Sequence, residues 1–175
     1  RYDADGSTAT QLMGGRSRAA GVLASGRLSL GEKPMLEISQ QITFETWLYL
    51  QWFPLQYAPA FWFVNNRDQY GISVDRDGKL RCHIGNQTAD VSFTRETWHH
   101  VACVYDGSRL KVYLDGQIAK CSDVSGLIPT GGTQGTKLVD DTIAGIDDIR
   151  IYARALPATD ICSHANKTGC NSACE

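Results

Sequence analysis

The chain has 175 residues, 42% hydrophobic and 21% charged, the balance of one globular domain over residues 1–175 rather than of a disordered segment. Seventeen basic against nineteen acidic side chains leave a formal charge of −2, which excludes the broad basic footprint of a nucleic-acid binder. No apolar run approaches the roughly 20 residues that span a bilayer, so membrane insertion is not expected.

Taken in chain order, Ile42–Leu50, Ala60–Asn65, Tyr70–Val74, Lys79–Ile84, Trp98–Tyr105, Arg109–Leu114 and Ile146–Tyr152 read as strands. They are short, rich in β-branched and aromatic residues, and separated by Gly, Asn, Asp or Pro. Asp77-Gly78, Asp106-Gly107 and Asp115-Gly116 fall where neighbouring strands reverse, because Asp and Gly tolerate the positive φ of tight turns. Leu80, Cys82 and Ile84 alternate with Arg81 and His83, the pattern of a half-buried strand, and Leu110, Val112 and Leu114 repeat it. Trp98–Tyr105 is apolar on both faces, as a central strand is. Ser122–Gly135 reads as a long surface loop, and Leu156–Ile161 as a short helical turn with Pro157 near its start. Many short strands at this spacing indicate a sandwich or jelly roll, and the class is all-β.

Six cysteines without a C-x-x-C pair read as disulfides of an extracellular, exported or cell-surface chain rather than as zinc ligands. The chain opens at Arg1 without a signal-peptide pattern, as a processed chain does. Asn86-Gln87-Thr88 and Asn166-Lys167-Thr168 are glycosylation sequons, meaningful in a secretory eukaryotic cell.

"ITFETWLYL" (Ile42–Leu50), "ETWHHVACVYDGSRLKVYLDGQIA" (Glu96–Ala119) and "AGIDDIRIYARAL" (Ala144–Leu156) together resemble the laminin G-like, concanavalin A-like jelly-roll domains. Arg1–Gly6 and "GRLSLGEKPMLEIS" (Gly26–Ser39) sit where that family places its first strands. The resemblance implies two antiparallel sheets face to face, one of them curved, with loops gathered on a rim. It implies a carbohydrate- or protein-binding module, part of a larger exported protein. It also brings the strands of Cys82 and Cys103 together, which implies a Cys82–Cys103 bridge. Cys121 or Cys162 then ties down a Cys-rich tail (162–175) that also carries Cys170 and Cys174. A structural calcium between the first strand and the "IDD" strand is implied as well, with Asp3, Asp5, Asp147 and Asp148 as the matching side chains.

Catalysis is not expected, and no catalytic residue is assigned. Jelly-roll glycosidases resemble one another in a run of alternating acids that sets two carboxyls about 5–5.5 Å apart. Asp75-Arg76-Asp77 comes nearest and runs into a turn, while Glu45 stands alone on its strand. His99 and His100 are adjacent and face opposite ways, so they do not chelate one ion, and His100 matches a recurring structural His of the family.

The aromatic distribution points to a site. Nine of the sixteen aromatic side chains fall within Phe44–Phe63. A core accounts for Phe44, Trp47, Phe61 and Phe63, but not for Gln51–Tyr57, which reads as a loop. Loop aromatics stack on sugar rings or anchor a protein partner. Trp52 and Tyr57 are therefore expected to stack on a ligand, beside the polar loop Asn65–Tyr70. There Asn65, Asn66 and Asp68 would read hydroxyls, Arg67 would contact a carboxylate or sulfate, and Tyr70 would be a further ligand-binding residue. The expected partner is a glycan or glycoprotein on a cell or matrix surface. A protein–protein adhesion module using the same rim and a spacer domain without a ligand are the alternatives.

Overall fold

The computed structural model describes residues 9–11, 22–54, 60–66, 68–131 and 135–174, with the side chains of all of these except 9–11, 22–29 and 139–143. Eleven strands and one α-helix run through them: β1 (Ala9–Gln11), β2 (Val22–Gly31), β3 (Ile42–Leu50), β4 (Ala60–Asn66), β5 (Tyr70–Asp75), β6 (Lys79–Ile84), β7 (Gln87–Ser92), β8 (Trp98–Tyr105), β9 (Arg109–Leu114), β10 (Gln117–Asp123), β11 (Thr136–Tyr152) and α1 (Ala158–His164). The seven strands expected from composition are present, with Ile146–Tyr152 as the end of the 17-residue β11. Two strands beyond that set, β7 and β10, are the ends of the strand order β10-β9-β8-β3-β11-β4-β5-β6-β7. Each is an edge strand that buries little on either side, so its alternation is weak in the sequence.

All pairings are antiparallel. β11 joins the two sheets: its last part lies opposite β3, from Ala144 against Leu50 to Tyr152 against Thr43, and its first part opposite β4, with Thr136 against Asn66. Three register shifts along β11 against β2 let the strand turn between the sheets. One sheet is β10-β9-β8-β3-β11 and the other β11-β4-β5-β6-β7.

The core lies between them. Phe44 and Leu48 of β3 and Val101, Cys103 and Tyr105 of β8 meet Phe63, Ile72, Val74 and Leu80 of the other sheet. Each such side chain contributes about 1.5–3 kcal/mol by leaving water. The Cys82–Cys103 disulfide ties β6 to β8 across this core. A second, smaller core of Ala102, Val104, Tyr113, Leu156 and Ile161 sits on the outer face of the first sheet, under α1. The helix runs one turn further than the sequence suggests, with Pro157 preceding its first residue. Cys162–Cys170 closes the chain after α1, and Cys121–Cys174 ties the tail to β10. Asn171 adds to that edge by accepting the Ile118 N–H at 2.7 Å and donating to its carbonyl.

Candidate functional site

Alternation along β5 and β6 sends Ile72, Val74, Leu80 and Cys82 into the core and Gly71, Ser73, Arg81 and His83 to the outer face of the second sheet. Trp62 of β4 pairs with Ser73 and shares that outer face. Its indole lies across β5 where Gly71 has no side chain: a Cβ there would stand 3.0 Å from the ring and 2.6 Å from the Val64 carbonyl. His83, opposite Gly71, packs against the same indole with ring centroids 4.5 Å apart and planes 36° apart. Ser73 Oγ lies 2.8 Å from His83 Nε2 and fixes the imidazole from behind. Trp62 and His83, both half-buried, thus stack on one another, and the outer side of the pair is an aromatic shelf.

Polar groups bound the shelf at both ends. Asn65 stands at one, opposite Gly71 and Lys137. At the other, Arg81 Nη2 meets Asp75 Oδ2 at 2.8 Å. Asp75 Oδ1 accepts the N–H groups of Asp77 and Lys79, both at 2.9 Å, so this carboxylate is engaged in the β5–β6 turn. Burial, helped by the Arg81 charge, lowers the His83 pKa to about 4, so the imidazole is neutral in neutral solution.

Trp52 follows β3 and is 51% exposed. Phe53, next in the chain, closes on Gly78 of the β5–β6 turn and lies 5.9 Å under the Arg95 guanidinium. That places Trp52 at the end of the second sheet where Ala60 pairs with Asp75. The Asn65–Tyr70 stretch is at the other end, as the β4–β5 turn. At about 3.3 Å per residue, the seven residues of β4 hold the two apart by roughly 20 Å. The sequence reading that merges them into one site is corrected on this point: β4 runs between them, so Trp52 and the β4–β5 turn stand on opposite rims.

Within that turn only part of the expected polar face is presented. Asn65 faces outward and Asp68 is exposed with φ 65°. Asn66 and Tyr70, 3% and 2% exposed, point inward instead. Asn66 Nδ2 donates to the Leu36 carbonyl at 3.2 Å and to Gln69 Oε1 at 2.6 Å, and the Tyr70 hydroxyl donates to Leu36 at 3.1 Å. Both therefore secure the Pro34–Leu36 turn and are not available to read hydroxyls. Tyr57 and Arg67 lie outside the described residues.

Asp147 and Asp148 sit on a bulge of β11 opposite β3. Asp147 Oδ1 accepts the Asp148 N–H at 2.9 Å, and Asp148, at φ 51°, faces Arg150 at 3.7 Å. Asp3 and Asp5 lie outside the described residues. Among the described residues no three His, Cys, Asp or Glu side chains are grouped to hold a metal. The fit of calcium therefore turns on Asp3 and Asp5.

Two clusters escape sequence reasoning altogether. Glu45 is fully buried on the outer face of β3, with His164 Nδ1 at 2.7 Å, His100 Nε2 at 3.4 Å and Arg150 Nη1 at 3.5 Å. Asp115, His99 and Thr94 form a relay of two 2.7 Å contacts that braces the β9–β10 turn against the chain before β8. Neither is signalled by spacing, because the partners come from different strands and from α1.

Residues 22–162 match the family model of the concanavalin A-like lectin/glucanases superfamily. The chain belongs to that family. No curated protein matches it by sequence. Domain 4 of AbnA, an extracellular GH43 arabinanase from Geobacillus stearothermophilus solved with arabinotriose, is similar over 94% of this chain and 84% of its own (21% identity, TM-score 0.69). The botulinum neurotoxin serotype G binding domain is similar over 94% and 46% (11% identity, TM-score 0.72). A botulinum neurotoxin type C structure, from a toxin whose cell entry depends on two ganglioside molecules, is similar over 94% and 46% (13% identity, TM-score 0.64). This chain spans a little under half the length of those toxin domains. At these identities the likeness establishes the fold, which in these neighbours serves binding.

Proposed function

We propose that this jelly-roll domain is a non-catalytic carbohydrate-recognition module of an extracellular protein. The saccharide would lie on the outer face of the second sheet, over Trp62 and His83. The observation that carries this reading is the shelf itself: the Trp62 indole seated over Gly71 and stacked on His83, with Asn65 and Arg81 at its ends. A sugar offers an apolar C–H face and a ring of hydroxyls, and this arrangement has a partner for each. Trp52, exposed on the rim nearest Asp75, extends the surface a longer glycan could use. The arabinotriose held by the arabinanase domain and the gangliosides of the type C toxin support a glycan as ligand class. Three disulfides support the extracellular placement, and no described helix is long and apolar enough to cross a membrane.

Single aromatic platforms bind sugars weakly, at about micromolar to millimolar Kd. A glycan array followed by titration of the best ligand tests the reading. Trp62→Ala is expected to remove binding, and Trp52→Ala to weaken binding of oligosaccharides more than of monosaccharides. An array without a hit, or a Trp62→Ala variant that folds and binds normally, would move the function to a protein partner or elsewhere on the sandwich. The calcium expected between Asp3, Asp5, Asp147 and Asp148 has its own test: a rise in Tm on adding the ion, lost in Asp148→Asn.

A further inference from the structure

An apolar pit of about 440 Å³ opens in the angle where β11 passes from one sheet to the other. Leu138 reaches it from the part of β11 beside β4, and Ile149 and Ile151 from the part beside β3. Leu30, Leu36 and Ile38 supply the opposing wall. The wall is held from behind: the Leu36 carbonyl accepts from Asn66 and Tyr70, and the Ile128 N–H donates to Ser39 at 2.9 Å. A preformed apolar pocket of this volume lies within the roughly 300–1,000 Å³ typical of small-molecule sites.

The mouth differs from the walls. Met35 stands there 62% exposed, next to Lys33, an exposed ammonium that makes no ion pair among the described residues. A polar trough lined by Glu37, Ser39, Gln40 and Gln41 continues past Ile38 and Ala153. Glu37 Oε2 accepts from Gln69 Nε2 at 2.6 Å and from the Gly131 N–H at 2.8 Å and lines the trough rather than the pit, so among the described residues lining the pit Lys33 carries the only charge. Sugar hydroxyls would find no partners on the pit walls, which separates this site from the shelf of Trp62. A neutral hydrocarbon would leave Lys33 unused.

We propose that the pit takes a free medium-chain alkanoate, its chain against Leu138, Ile149 and Ile151 and its carboxylate beside Lys33. Titration calorimetry of the intact, oxidised protein with hexanoate, octanoate, decanoate and 1-octanol tests this. Affinity is expected to rise about fourfold per methylene, the transfer free energy of one CH₂. Octanoate is expected to bind several-fold more tightly than octanol, and Lys33→Gln to erase that difference without changing octanol. Methyl NMR shifts are expected to centre on Ile149 and Ile151, and Ile149→Phe to fill the pit and block binding. Should that variant fail to fold, the wild-type methyl shifts carry the same test. No saturable binding of decanoate, equal binding of octanol and octanoate, or shifts centred away from the pit would each overturn the proposal. None of these outcomes bears on the glycan array, so the two readings stand or fall separately.

Discussion

At Gly71 the whole shelf depends on one missing methyl group. The Val64 carbonyl would stand 2.6 Å from a Cβ at this position, closer than backbone atoms tolerate, and the indole of Trp62 at 3.0 Å. Gly71→Ala is expected to cost about 1–3 kcal/mol through overpacking and to weaken sugar binding by tilting Trp62. Denaturant unfolding and titration of the same sample check both effects. His83 gives a second residue-scale prediction. Burial, with Arg81, holds its folded pKa at about 4, against 6.5 in the unfolded chain. Between those values the unfolded chain binds the extra proton, so stability falls as pH drops from 6.5 and levels off near 4. His83→Gln is expected to flatten that part of the Tm–pH curve, and an unchanged slope would remove His83 as its source.

Between elements, the decisive contact is α1 on the outer face of β3. Burial alone would raise the Glu45 pKa, but contact with His100 and the charges of His164 and Arg150 outweigh it and leave the carboxyl lowered. Its contribution to stability is therefore present above the unfolded value of 4.5 and is lost as pH falls through the folded value. Three elements converge on it: His100 from β8, Arg150 from β11 and His164 from the last turn of α1. Glu45→Ala leaves the Arg150 guanidinium and the two imidazoles facing a buried void and is expected to cost about 3–5 kcal/mol. His164→Ala, at a half-buried position, is expected to cost about 1 kcal/mol. Equal losses for the two variants, measured by urea unfolding, would show that Glu45 does not organise the cluster. Gly116 completes the seat of α1: at φ 83°, its Cβ position is 3.1 Å from Ala165 and from the Cys170 sulfur.

Over the whole molecule, the disulfides divide the work between core and tail. Cys82–Cys103 closes a separation of 21 residues, worth about 3 kcal/mol by chain entropy, and Cys121–Cys174 one of 53, worth about 4 kcal/mol. The first also fills the centre of the sandwich, because both sulfur-bearing residues are fully buried. Replacing both members by Ser is therefore expected to lower Tm more at 82 and 103 than at 121 and 174, despite the smaller loop. The second pair guards the β10 edge, and its loss is expected to show first as faster amide exchange in Gln117–Asp123. Free thiols in the untreated protein would contradict the paired state of all six cysteines.

What the residues decide by themselves is local. Period-two alternation, Asp-Gly turns and a central strand apolar on both faces are written within a few neighbours, so β3, β6, β8 and β9 were legible with the bounds the structure shows. The exposure of Trp52 was legible too, since it lies outside any alternating run. Register and hairpin order are non-local, and they decided the rest. They put the Trp52 loop and the β4–β5 turn on opposite rims, turned Asn66 and Tyr70 inward, and brought three partners to Glu45. Trp62 carried a usable signal, alternating with Phe61, but its value as a platform appeared only once Gly71 and His83 lay beside it on β5 and β6. A strand's own sequence says which side chains share a face; only pairing with its neighbours says what that face is made of.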